Sequence, residues 1–225
     1  MKPLDLRLYG LVDPARSGSG DVGRNLAYLA AAAVRGGATL IQLRDKTAAT
    51  RAFVEEARAV HAALRGTGVP LLINDRVDVA LAVAAEGVHL GQNDMDARDA
   101  RRQLGPDAII GLTVKNDAHV DTAPIGAVDY VAIGGVFETL SKDNPDPPVG
   151  VDGLRRLAER VRARRADMPV CAIAGISEDR IADVIGAGAD GVAIISAIFM
   201  AGDPEAAART LRAAVDAALD DRSAA

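Results

Sequence analysis

Gln42, Arg44 and Lys46 follow the apolar run Thr39-Leu40-Ile41 at alternate positions. In an extended chain that spacing puts their side chains on one face, so three donors converge where a strand would end. Arg offers a planar fork suited to phosphate, Lys a mobile point charge and Gln an uncharged orienting group. Alone, the segment reads more readily as solvated surface charge. Similar endings recur, however, along the chain. Asn74-Asp75-Arg76 follows Pro70–Ile73, Gln92 and Asp94 follow Gly87–Leu90, and Thr113 and Lys115 follow Ala108–Leu112. Thr139, Ser141 and Lys142 lie in the segment after Tyr130–Ile133, Gly175 follows Pro169–Ile173, and Ser196 follows Gly191–Ile195.

Asp75 and Asp94 end neighbouring strand candidates. Two hard oxygen ligands facing basic residues suit a Mg²⁺ ion shared with a phosphate-bearing substrate. Asp75 also reads as a helix N-cap and Asp94 as a turn residue; their adjacency beside Arg44 and Lys46 favours the metal. Ala174-Gly175-Ile176-Ser177 and Ile194-Ile195-Ser196-Ala197 are where a barrel often holds phosphate on backbone N–H groups, although turn and cap chemistry accounts for them equally. The long stretch Val136–Val149 is expected to be a lid or binding loop, with Lys142 positioned to close over a polyphosphate. His61 and His119 fall in helical patterns, His89 reads as a satisfied strand histidine and Cys171 as a small buried hydrophobe. No nucleophile–base pair is visible, which disfavours covalent catalysis.

The elements that must position these groups alternate regularly. Strands are predicted at Leu6–Val12, Thr39–Leu43, Pro70–Ile73, Gly87–Leu90, Ala108–Leu112, Tyr130–Ile133, Pro169–Ile173 and Gly191–Ile195, with amphipathic helical patterns between them. One such pattern stops at Gly36-Gly37, another at Gly66; Ser177 is expected to open a helix, and Asp203-Pro204 the last one. This predicts an α/β fold, a single (β/α)₈ TIM barrel over residues 1–225 with its core at 6–219. An open doubly wound sheet is the alternative. Gly18-Ser19-Gly20-Asp21-Val22-Gly23 has the dinucleotide-binding spacing, but Asp13-Pro14-Ala15-Arg16-Ser17 separates it from the strand, so it reads as a surface loop.

With 26 basic and 31 acidic residues and no basic block, the chain is not expected to bind nucleic acid or a membrane surface. The single Cys171 excludes an intrachain disulfide and fits a reducing compartment, no signal-peptide core is evident, and a cytoplasmic location is expected.

Gln42-Leu43-Arg44-Asp45-Lys46, Asn74-Asp75-Arg76, Val88-His89-Leu90-Gly91-Gln92-Asn93-Asp94 and Ser196-Ala197-Ile198 resemble the thiamine-phosphate synthase family, from Tyr9 to Phe199 and in the family's order. The resemblance implies a barrel that joins hydroxymethylpyrimidine diphosphate to thiazole phosphate, releasing pyrophosphate and forming thiamine phosphate. It further implies that Gln42, Asn74 and Thr113 meet the pyrimidine, and that Arg44, Lys46 and Lys142 bind its diphosphate. Asp75 and Asp94 would hold Mg²⁺. Thr139, Ser141, Gly175 and the Ile195–Ser196 backbone would receive the thiazole phosphate. Arg44, Lys46, Lys142 and Thr113 are then the catalytic candidates, the partners are small phosphorylated molecules, and a homodimer would suit the family. Two segments depart from the pattern: Gly134 to Lys142 lacks both usual prolines and has one Ser for Thr, and Lys115 replaces a usual histidine. The related thiazole tautomerase and a non-catalytic barrel binding thiazole phosphate or thiamine phosphate are the alternatives, disfavoured by the retained cations and aspartates.

Overall fold

A computed structural model of the chain describes residues 4–16, 25–139 and 147–224. Its eight strands are β1 (Leu8–Val12), β2 (Leu40–Leu43), β3 (Leu71–Asn74), β4 (Gly87–Leu90), β5 (Ile109–Val114), β6 (Tyr130–Gly134), β7 (Val170–Ile173) and β8 (Gly191–Ile194). All neighbours pair in parallel, in chain order, and Leu8 opposite Val192 closes the barrel. The helices between them are α1 (Leu26–Arg35), α2 (Thr50–Leu64), α3 (Val77–Val83), α4 (Ala97–Leu104), α5 (Asp117–Thr122), α6 (Gly150–Arg164), α7 (Ile181–Gly186), α8 (Ser196–Phe199) and α9 (Pro204–Ala224). The expected closed (β/α)₈ architecture is therefore the one observed.

Alternation along each strand divides the apolar side chains into two layers. Leu8, Val12, Ile41, Leu43, Leu71, Ile73, Val88 and Leu90 point outward and pack with the helices. Tyr9, Leu11, Leu40, Leu72, Tyr130, Ala132, Cys171 and Ala193 fill the barrel. A strand buried on both faces needs a near-continuous apolar run, which is why these segments carry so little internal polarity. Each fully buried Leu or Ile contributes about 1.5–3 kcal/mol relative to exposure. Gly111 is required by the interior: a Cβ there would lie 2.1 Å from the Tyr130 ring.

Helix starts follow from local side chains. Asn25, Asp96 and Asn116 accept the N–H of Tyr28, Arg98 and His119, at 2.8, 2.8 and 2.9 Å. Asp203 accepts from Glu205 and Ala206, both at 3.0 Å, and opens α9 as expected. Every strand but β4 shifts by one or two residues from the sequence expectation, and three differences bear on the site. β5 runs on to Val114, so Thr113 lies inside the strand. β8 stops at Ile194, leaving Ile195 to introduce α8. Ser177 opens a 3₁₀ turn, Glu178–Arg180, before α7; its hydroxyl donates to Asp179 at 2.5 Å and does not cap the turn. The Gly18–Gly23 motif lies outside the described residues.

Candidate functional site

Because Leu40 and Gln42 face inward on β2, Arg44 and Lys46 continue toward the barrel mouth. Gln42, Arg44, Lys46, Asn74, Asp75, Asp94, Thr113, Thr139, Gly175, Ile195 and Ser196 all line one cavity of about 700 Å³ at the C-terminal ends of the strands. Ser141 and Lys142 lie outside the described residues. Arg76 is not brought in: it pairs with Asp78 and Thr50 beside α3. Gln92 bonds the backbone oxygen of Thr113 at 2.6 Å, pinning β4's loop to β5.

The cationic wall meets acids. Arg44 pairs with Asp13, a carboxylate only 2% exposed at the end of β1, and Lys46 pairs with Asp75. Asp13 also accepts the N–H of Ala15 at 2.9 Å, which makes it both turn residue and counter-ion. Asp75 is not the N-cap of α3; Arg76 holds that position. Its φ is 61°, a left-handed conformation that Asp tolerates better than most residues. Burial raises the Asp75 pKa, and the neighbouring Asp94 carboxylate, within hydrogen-bonding reach, raises it further against the opposing pull of Lys46. Asp94 also closes a turn, accepting the Gly91 N–H at 2.7 Å. The turn reading and the metal reading of Asp94 are thus compatible.

Two mutually repelling carboxylates at a cavity wall fit a divalent cation. Among the described residues no group of three or more His, Cys, Asp or Glu side chains is placed to hold a metal. Mg²⁺ commonly takes one or two carboxylates and completes its shell with water and substrate phosphate, so a pair suffices. Asp45 does not face this wall. Burial acts to raise its pKa, but hydrogen bonds from Thr47 and Ala48 outweigh this and hold it low while they shape the turn into α2.

On the opposite side, β6 and β7 are drawn together above their last residues. Val136 N–H donates to Ile173 O at 3.0 Å and Phe137 N–H to Ala174 O at 3.2 Å. Ala174 and Gly175 take φ of 85° and 66°, and a Cβ on Gly175 would lie 2.4 Å from the Glu138 carbonyl oxygen. Arg180 secures this junction, donating to Gly175 O at 2.6 Å with its guanidinium 4.4 Å from the Phe137 ring centre. Ser196 and Ala197, which begin α8, present first-turn N–H groups that lack intrahelical acceptors.

Sequence reasoning missed Asp13, Arg180 and Arg16, which also lines the cavity, together with the hydroxyl contact between Tyr9 and Tyr130. Asp13 follows β1 directly, so the strand-end rule applied to β1 would have found it. His89 is satisfied as expected, by Tyr130 and Thr113. Cys171 is fully buried, and burial pushes its thiol pKa up, so it offers no nucleophile.

The fold and the charged mouth define a (β/α)₈ barrel equipped to receive anions over a carboxylate pair. The family model for thiamine monophosphate synthase matches residues 8–198. A thiamine-phosphate synthase from Agrobacterium fabrum is 55% identical over 222 residues, 99% of each chain. Another from Xanthobacter autotrophicus is 48% identical over 217 residues, covering 96% of this chain and 99% of its own. The solved structure of a thiamine phosphate pyrophosphorylase from Pyrococcus furiosus superposes with a TM-score of 0.81 at 34% identity, covering 96% of this chain and 98% of that one. The chain belongs to the thiamine monophosphate synthase family. Among the described residues, no helix is long and apolar enough to cross a membrane.

Proposed function

We propose that this chain is a thiamine-phosphate synthase, a transferase that joins hydroxymethylpyrimidine diphosphate to thiazole phosphate and releases pyrophosphate. The observation that carries the reading is the wall formed by Lys46, Asp75 and Asp94, inside a cavity that also holds the Gly175 turn and Ser196. One wall suits a diphosphate with its counter-ion and the other suits a phosphate monoester.

In this reading Gln42, Asn74 and Thr113 orient the pyrimidine. Arg44 and Lys46, with Lys142 assigned by family resemblance, carry positive charge toward the diphosphate. Mg²⁺ held by Asp75 and Asp94 would supply further positive charge to the departing oxygens. The bond between the pyrimidine methylene carbon and the diphosphate oxygen breaks, and its electron pair leaves with pyrophosphate. The thiazole nitrogen then donates its lone pair to the methylene carbon. Gly175, Thr139 and the Ile195–Ser196 backbone, with Ser141 assigned by family resemblance, hold the thiazole phosphate so that this nitrogen lies in line. No protein nucleophile takes part, in keeping with the buried Cys171.

The test is to incubate pure, folded protein with both phosphorylated substrates and Mg²⁺, and to follow thiamine phosphate and pyrophosphate. Equal amounts of the two products are expected, and the absence of both would overturn the reading.

A further inference from the structure

At the floor of the cavity, which Gln42, His89 and Thr113 line, five side chains from five strands form one hydrogen-bonded line. The Gln42 amide on β2 bonds the Tyr9 hydroxyl on β1. Tyr9 and the Tyr130 hydroxyl on β6 are 2.9 Å apart. Tyr130 lies 2.8 Å from Nδ1 of His89 on β4, and Nε2 of His89 lies 2.7 Å from Oγ1 of Thr113 on β5. The line thus begins and ends at residues that line the cavity, and its two tyrosines are buried. Burial pushes both phenol pKa values up, so both keep their protons.

Counting protons constrains the line. It has four links, and each link needs one hydrogen. Each phenol supplies one, and a neutral imidazole donates from one nitrogen while accepting at the other. The remaining hydrogen comes from one end, and which end supplies it sets every link. If Thr113 donates to His89, then His89 donates to Tyr130, Tyr130 to Tyr9, and Tyr9 to the Gln42 oxygen. Gln42 is left with N–H groups for the cavity, and Thr113 with lone pairs. If Gln42 donates to Tyr9, every link reverses. Gln42 then keeps its carbonyl oxygen for the cavity, and Thr113 its proton. The amide's nitrogen and oxygen are interchangeable by a half-turn of the side chain, so both arrangements fit the same heavy atoms.

A second observation marks the Gln42 end as a place for a ligand. Its other amide atom, Oε1, is buried and has no hydrogen-bond partner, on a side chain that lines the cavity. A buried amide atom without a partner is costly, and a ligand group meeting it removes that cost.

We propose that Tyr9, Tyr130 and His89 are positioning residues that couple the hydrogen-bond polarity of Gln42 to that of Thr113. When one end offers a donor, the other offers an acceptor. The cavity floor therefore selects a heterocycle with a linked acceptor and donor, such as the ring nitrogen and amino group of an aminopyrimidine. The ligand class rests on the function proposed above; the coupling itself does not.

Two measurements test it. The first is ¹⁵N NMR of the His89 ring in the free protein and in its Tyr9→Phe variant, with folding checked by circular dichroism and thermal melting. Phe keeps the ring and removes only the hydroxyl, which makes no hydrogen bond to His89. A neutral imidazole is expected, with a tautomer ratio that changes in the variant. An unchanged ratio, or a doubly protonated ring in the native protein, would overturn the coupling. Should Tyr9→Phe fail to fold, Gln42→Leu replaces it with the same expectation.

The second is a mutant cycle on KM for hydroxymethylpyrimidine diphosphate. Gln42→Ala and Thr113→Val are expected to be non-additive by about fivefold, and additive once Tyr9→Phe is present. KM for thiazole phosphate should stay within about twofold throughout, since that half of the cavity lies off the line. Additivity in an active enzyme with Tyr9 intact would overturn the relay and leave the synthase reading standing. Absence of turnover in the native enzyme would overturn the synthase reading, with the imidazole measurement still deciding the relay.

Discussion

The backbone N–H of Asp75 donates to the carbonyl oxygen of His89 at 2.9 Å, anchoring the residue after β3 to the middle of β4. This bond holds Asp75 at its positive φ beside the turn that Asp94 closes. The carboxylate pair is thus set by backbone pairing between neighbouring strands, and long side chains need not search for each other. Asp75 has little freedom to relax when its partner changes.

Asp94→Asn tests the pair while keeping an oxygen to accept the Gly91 N–H. We expect kcat/KM to fall by at least about 100-fold at ordinary Mg²⁺, with the melting temperature nearly unchanged. Turnover close to wild type across a Mg²⁺ titration would show that Asp94 holds no metal.

Asp13→Asn keeps the turn bond to Ala15 and removes the counter-charge of Arg44. Arg44 opens onto the cavity, so the cost should lie below that of breaking a fully buried pair, about 2 kcal/mol by urea unfolding. A variant as stable as the native protein would mean that Arg44 does not depend on Asp13.

Gly175→Ala adds a Cβ where the Glu138 carbonyl oxygen lies 2.4 Å away, at a φ of 66°. The expected outcome is a loss of about 2 kcal/mol and a raised KM for thiazole phosphate, with KM for the pyrimidine substrate less affected. Equal increases in both KM values would count against a phosphate site at this turn.

Asp96 caps α4, and hydrogen bonds from the Arg98 side chain and backbone N–H hold its pKa at about 2, below the ordinary 3.8. A carboxyl group depressed on folding stabilises above its unfolded pKa and loses that effect as pH falls toward the folded value. Asp96→Ala should therefore cost about 1 kcal/mol at neutral pH. The gap to wild type should close as pH falls from 3.8 toward 2. Unfolding curves along a pH series would show this, and a gap constant with pH would exclude the ionised cap.

Much of the fold was legible in the sequence because strands buried on both faces leave apolar runs bounded by turn residues. Gln42 and Arg44 share a face for the same local reason. The boundary errors have local causes too: polar Thr113 belongs to a strand because its side chain reaches His89 inside the barrel. Asp13 was overlooked because Asp-Pro reads as a turn, which it also forms. Tyr9 and Tyr130 read as core, and they are core; their hydroxyls meet across 121 positions of sequence, a distance no local pattern reports. Lys142 was legible as a cation on a loop, whereas its placement depends on a segment outside the described residues.

The two-layer alternation has a consequence for how the molecule can change. On β2, Gln42 meets the cavity while its neighbours Ile41 and Leu43 meet the helices, so adjacent codons answer to different selective pressures. A library confined to the inward positions that line the cavity would explore ligand choice on a nearly constant scaffold, whereas one confined to outward positions would explore thermal tolerance at nearly constant chemistry. Inward positions deeper in the barrel, such as Leu40 and Leu72, belong to the core instead, and at Gly111 the Tyr130 ring leaves no room to vary.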